Sequence, residues 1–151
     1  MKAGIFGAGN ELREDDGVGL VIVAKLKALF SNDNIDFLVI GERLFEIPAL
    51  MMNYEKIFII DALPPDLEPG KITVVRYGGD NFSLSKSYSL HDLDLICQLK
   101  YAFWSGFRGE ILLVGIEAES LDYKKGLSLG LSCYLPNISL KVAEVIEGFL
   151  G

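Results

Sequence analysis

Residues Gly7-Ala8-Gly9-Asn10-Glu11-Leu12-Arg13-Glu14-Asp15-Asp16-Gly17-Val18-Gly19 constrain this chain more than any other stretch, because they join a buried strand to a helix through a turn of glycines and carboxylates. Before the turn, Ala3-Gly4-Ile5-Phe6 is short, apolar and bounded by glycine, as a strand covered on both faces should be. After it, Val18, Ile22, Leu26 and Leu29 fall at i, i+4, i+8 and i+11, the stripe of a helix lying on a sheet. The turn therefore belongs at the carboxyl end of a strand, where open α/β sheets place their ligands.

Gly7-Ala8-Gly9 after a strand superficially matches a dinucleotide fingerprint. That pattern needs a third glycine and a helix start free of negative charge, so that pyrophosphate can sit on the helix N-terminus. Here Leu12 stands at the third glycine position, and Glu14, Asp15 and Asp16 follow. Three carboxylates would repel a phosphate, so a site for a cation or an electrophile fits better.

The same alternation continues along the chain. Asp36–Ile40 reads as a second strand closing at Gly41, and 45–51 as a short helix with Pro48 in its first turn. Lys56–Asp61 is an unbroken apolar run ending in a carboxylate, the pattern of a central parallel strand. Ala62–Gly70 is a proline-rich loop, and Lys71–Val75 a β-branched strand. Residues 78–89 form a polar loop of a length that tends to be functional. Ser89 and Asp92 have the spacing of a capping box, with Leu93, Ile96, Leu99, Lys100 and Phe103 continuing the helix behind it. Trp104–Gly109 is a turn, with Trp104 and Phe107 at the edge of the core or in a partner groove, and Glu110–Ile116 is another buried strand. Residues 117–133 carry no decisive pattern. Pro136 and Asn137 open a last helix with Ile138, Val142, Val145, Ile146 and Phe149 on one face and Gly148 and Gly151 at its frayed end.

These elements predict one domain over 1–151, a three-layer α/β/α sandwich around a mostly parallel twisted sheet of about five strands. A length of 151 residues suffices for a sizeable core. No apolar run reaches the ~20 residues needed to cross a bilayer, and no signal peptide is legible, so a soluble cytoplasmic protein is expected. Cys97 and Cys133 lack the spacing of a zinc or disulfide framework and are expected in the core. A net charge of −7 argues against nucleic acid as a partner.

Asp16, Asp61 and His91 lie at predicted ends of elements that share one sheet edge. Two carboxylates and an imidazole make an open ligand set for zinc or nickel, leaving positions for water or substrate. His91 is the only histidine, and in a first helical turn the dipole would favour its neutral, metal-binding form. Each residue also has a plainer reading: Asp15 or Asp16 as a helix N-cap, Asp61 as a turn former, His91 as an ordinary surface side chain. Their convergence on one edge weighs against all three.

Gly7-x-Gly9-Asn10-x-Leu12-x-x-Asp15-Asp16-Gly17-x-Gly19, then Ile60-Asp61-Ala62, then Ser89-x-His91-x-x-x-Leu95, closely resembles the hydrogenase maturation proteases, and Gly115-Ile116-Glu117 and the closing helix also fit. Those endopeptidases trim a C-terminal extension from the precursor of the nickel-iron hydrogenase large subunit. The resemblance implies a phosphorylase/hydrolase-like twisted sheet flanked by helices, and it carries the family's metal-contacting and catalytic roles onto Asp16, Asp61 and His91. Nickel would arrive with the substrate, with zinc or cadmium able to bind adventitiously at the same place. Two positions depart from the family pattern. Val39-Ile40-Gly41-Glu42 replaces an Asp-Gly pair, with Glu42 the nearest acid, and Ala118 stands for a proline. The rival readings are a non-catalytic nickel-sensing chaperone and a doubly wound nucleotide-binding module. No serine or cysteine has a nucleophile's setting, which argues against a covalent mechanism.

Overall fold

The computed structural model describes residues 2–77 and 90–151, with the side chains of 90–93 outside that description. Five strands form one sheet: β1 (Ala3–Ala8), β2 (Ile35–Gly41), β3 (Lys56–Leu63), β4 (Ile72–Tyr77) and β5 (Glu110–Glu117). Their order is β2-β1-β3-β5-β4. The pairs β1/β2, β1/β3 and β3/β5 are parallel, and only the edge strand β4 runs antiparallel, against β5. The helices are α1 (Val18–Leu29), α2 (Ile47–Met51), α3 (Leu90–Trp104) and α4 (Leu129–Leu150).

Two hydrophobic layers enclose the sheet. On one face α1 and α4 bury Val18, Ile22, Leu26, Ile138, Val142 and Ile146 against Ile5, Phe58 and Val114. On the other, α2 and α3 bury Ile47, Met51, Leu95 and Leu99 against Phe6, Ile57, Ile59 and Leu113. Alternate residues of β1 and β3 thus face opposite layers, which is why these strands read as continuous apolar runs rather than as alternating ones. The predicted three-layer arrangement of about five strands is the one observed.

Several boundaries and burials differ from the sequence reading. Leu29, the last residue of α1, is 56% exposed, so the buried stripe ends at Leu26. Strand β3 runs two residues past Asp61, because Ala62 and Leu63 still pair with Ile116 and Glu117. Pro136 does not open the last helix but lies inside it, as α4 starts at Leu129 behind a Ser128 cap whose hydroxyl accepts from the Leu131 amide. Cys97 and Cys133 are exposed, on the solvent sides of α3 and α4. Phe107 is buried while Trp104 is 83% exposed, so the two aromatic residues have different roles. The loop 78–89 and the Ser89 cap lie outside the described residues.

Candidate active site

In a sheet ordered β2-β1-β3-β5-β4 the chain leaves β1 toward one side and β3 toward the other, so the topological switch lies between β1 and β3. The crevice at the carboxyl ends of those two strands is where such sheets bind ligands. Asp16 follows β1 and Asp61 lies near the end of β3, so the sequence places both carboxylates at this crevice.

The link between them is Gly9. Its φ of +131° is open to glycine alone, and a Cβ built on it would stand 1.9 Å from the Asp16 carbonyl oxygen and 3.6 Å from Asp61 Oδ1. The bare backbone of Gly9 lets the 3-10 turn Glu14–Gly17 fold back onto the end of β1 and against β3. Asp16 Oδ2 then accepts the Asn10 amide at 3.0 Å, and Asp61 Oδ1 accepts the Ala62 amide at 2.8 Å. Both side chains remain partly exposed. A second close approach brings α1 down on the sheet: a Cβ at Gly19 would meet the Ile60 carbonyl oxygen at 2.3 Å.

His91 lies in the first turn of α3, with its side chain outside the described residues. One helical turn further on, Leu95 lines a small hollow of about 10 Å³ together with Asp61, Leu63 and Leu113. Helical spacing places position 91 on the same face of α3 as Leu95, at the end nearer the carboxyl edge. Among the described residues no three His, Cys, Asp or Glu side chains are grouped closely enough to hold a metal ion.

Neither acid of the Asp15-Asp16 pair caps α1. The N-cap is Gly17, without a side-chain bond, because the 3-10 turn intervenes. Asp15 is instead fully buried and receives donors from Glu119, Ser120 and Ser128. Glu117 is also buried, and its Oε2 accepts the Asp66 and Glu68 amides and so shapes the loop after β3. The sequence signals both only as acids beside a strand end, which does not separate them from site residues. Glu42 is exposed beyond Gly41, and Ala118 is buried with its amide bonded to the Leu63 carbonyl.

Two larger cavities lie elsewhere. A groove of about 760 Å³ is lined by the 67–72 segment, Glu119 and α4, and a cleft of about 460 Å³ opens at the amino edge of the sheet around Tyr54 and Arg108. Neither cavity takes in the crevice at Gly9. Its surroundings include exposed apolar side chains at the same edge, Leu12 (58%) and Phe45 (71%).

A mostly parallel sheet with two acids at its switch point defines an α/β protein. The family follows from comparison with known proteins: the model of the hydrogenase maturation proteases matches residues 20–147. The chain belongs to that family, and is accordingly a hydrolase of the endopeptidase class. It is 31% identical, over 97% of its length and 93% of the relative's, to a Methanocaldococcus jannaschii protein assigned as a hydrogenase maturation protease. The [NiFe] hydrogenase maturation protease HybD from Thermococcus kodakarensis superposes with a TM-score of 0.76 at 29% identity, covering 97% of this chain and 99% of that one. The hydrogenase maturating endopeptidase HybD from E. coli shares the fold, with a TM-score of 0.79 at 24% identity over 98% and 93% of the two chains.

Proposed function

We propose that this protein removes the C-terminal extension of a nickel-loaded hydrogenase large-subunit precursor, with Asp16, Asp61 and His91 contacting the substrate's nickel. The observation that carries the reading is that the Asp16 backbone and the Asp61 carboxylate both lie against Gly9 at the switch point between β1 and β3, which brings the two acidic residues to one edge. Carboxylate oxygens, with an imidazole nitrogen from the adjoining helix, suit a borderline divalent ion such as nickel. The crevice is open, and its apolar surroundings at Leu12 and Phe45 suit a protein rather than a small molecule.

Cleavage requires a water to attack the scissile carbonyl. Asp16 or Asp61 can take its proton as general base, and nickel bound in the substrate can polarise the carbonyl or the water. Recognition of nickel would make trimming conditional on metal insertion, since a nickel-free precursor lacks the group that the three side chains hold. Membership of the hydrogenase maturation proteases accords with a hydrogenase precursor as the substrate.

The test is an incubation of the purified protein with nickel-loaded and nickel-free large-subunit precursor, followed by intact-mass measurement. Loss of the extension from the loaded form alone is expected. An unchanged mass in both, with a stable complex formed, would mean a chaperone that senses nickel without cutting. Equal trimming of both would remove nickel from the recognition step.

A further inference from the structure

We propose that Asp15 is a positioning residue: it latches the segment 118–128 across the loop that carries Asp16, and so fixes the direction of the Asp16 carboxylate before substrate arrives. The inference rests on the function proposed above and adds to it a residue that touches neither substrate nor metal.

The first observation is how the Asp15 carboxylate is satisfied. It is 0% exposed, yet among the described residues no ion pair reaches it. Its donors are the Ser128 amide on Oδ1 at 2.7 Å and, on Oδ2, the Ser128 hydroxyl at 2.7 Å, the Glu119 amide at 2.9 Å and the Ser120 amide at 3.1 Å. All four come from one segment that is remote in sequence. A buried carboxylate is tolerated only while its hydrogen bonds persist, so lifting this segment would strand the charge.

The second observation is backbone strain. Glu14 has a φ of +45°, the one positive φ at a non-glycine residue among those described. Such a conformation persists only where the surroundings over-determine it. The surroundings here are the same segment: the Glu14 amide donates to the Lys124 carbonyl at 2.7 Å, and Glu14 Oε1 accepts the Ser120 hydroxyl at 3.0 Å. Arg13 pairs with Lys124 as an isolated bridge and donates to the Leu121 carbonyl. Three consecutive residues immediately before Asp16 are thus gripped by the segment. If Glu14 relaxed to a right-handed conformation, the chain from Asp15 onward would swing. Asp16 would lose both its place against Gly9 and the Asn10 amide.

Asp15→Asn tests this, because an amide replaces one acceptor oxygen by a donor that faces other donors. In steady-state trimming of a nickel-loaded large-subunit precursor from the same organism, kcat should fall on the order of 10²-fold through misplacement of Asp16. KM should stay within about threefold, since Asp61, His91 and the exposed apolar side chains of the carboxyl edge still contact the substrate. A purely structural role would lower the melting temperature while leaving kcat of the folded protein at the wild-type value, and that result overturns the inference. Wild-type protein that fails to trim the precursor overturns the function and the positioning role together. Amide hydrogen exchange on the wild type covers a variant that does not fold. The Glu119, Ser120 and Ser128 amides should exchange as slowly as those of β3, whereas exchange at the rate of an open loop would show that no latch exists.

Discussion

Asp15 and Asp16 are neighbours in sequence with opposite environments, one sealed and fully hydrogen-bonded, the other half open at the sheet edge. A residue in the second position can be changed with little effect on the fold. Asp16→Asn is therefore expected to keep the melting temperature within a degree or two of wild type, on the order of 0.5 kcal/mol, while lowering kcat/KM about 10²–10⁴-fold. Thermal melts and trimming kinetics on one preparation check both halves. A second prediction concerns Tyr54, whose hydroxyl donates to Asp36 Oδ2 at 2.8 Å. Burial, and then this bond to a carboxylate, raise its pKa to about 12. A pKa raised in the folded state gives stability that is complete below about pH 10, the unfolded value, and is lost as pH rises toward 12. Tyr54→Phe should therefore flatten the decline of the urea midpoint above pH 10, and an unchanged slope would contradict the assignment.

At the scale of elements, the loop between β1 and α1 depends on a glycine whose replacement has nowhere to go. Gly9→Ala would place a methyl on the Asp16 carbonyl oxygen and force a disfavoured φ, so a loss of about 3 kcal/mol or more is expected by urea denaturation. A loss below about 1 kcal/mol would mean that the turn can relax, and with it the placement of Asp16. The sequence made this region legible because strand, glycine turn and amphipathic helix each leave a local signature. It gave less warning at α4. Proline normally marks a helix start, but Ser128 caps the chain eight residues earlier and buried Leu131 anchors the first turn, so tertiary packing outweighs the local signal at Pro136. The segment 118–128 left no pattern because it has no period. It is held by scattered amides bonded to Asp15 and Glu14, which no sequence window contains. Cys97 and Cys133 lie on the solvent side and not in the core, because a thiol is apolar enough for either side of a helix.

For the whole molecule, the two edges of the sheet carry different features. The amino edge carries a cleft of about 460 Å³ bordered by Arg108 and Glu110, while the carboxyl edge gathers Asp16, Asp61 and the first turn of α3. The fold was readable from the alternation of apolar strands and amphipathic helices, and the family from three motifs in order, at Gly7–Gly19, Ile60–Ala62 and Ser89–Leu95. The placement of Asp16 and Asp61 at the carboxyl edge was readable, because each follows the end of an apolar strand. Membership of the hydrogenase maturation proteases accounts for the arrangement as a whole, and the remaining claim is that two carboxylates and one imidazole act together on a metal carried by the substrate. The direct measurement is the intact mass of nickel-loaded large-subunit precursor after incubation with wild type, Asp16→Asn, Asp61→Asn and His91→Ala, each shown to be folded. Trimming by wild type and a full-length precursor with each of the three variants is the predicted result, and wild-type rates of trimming by any one of them would contradict the shared site.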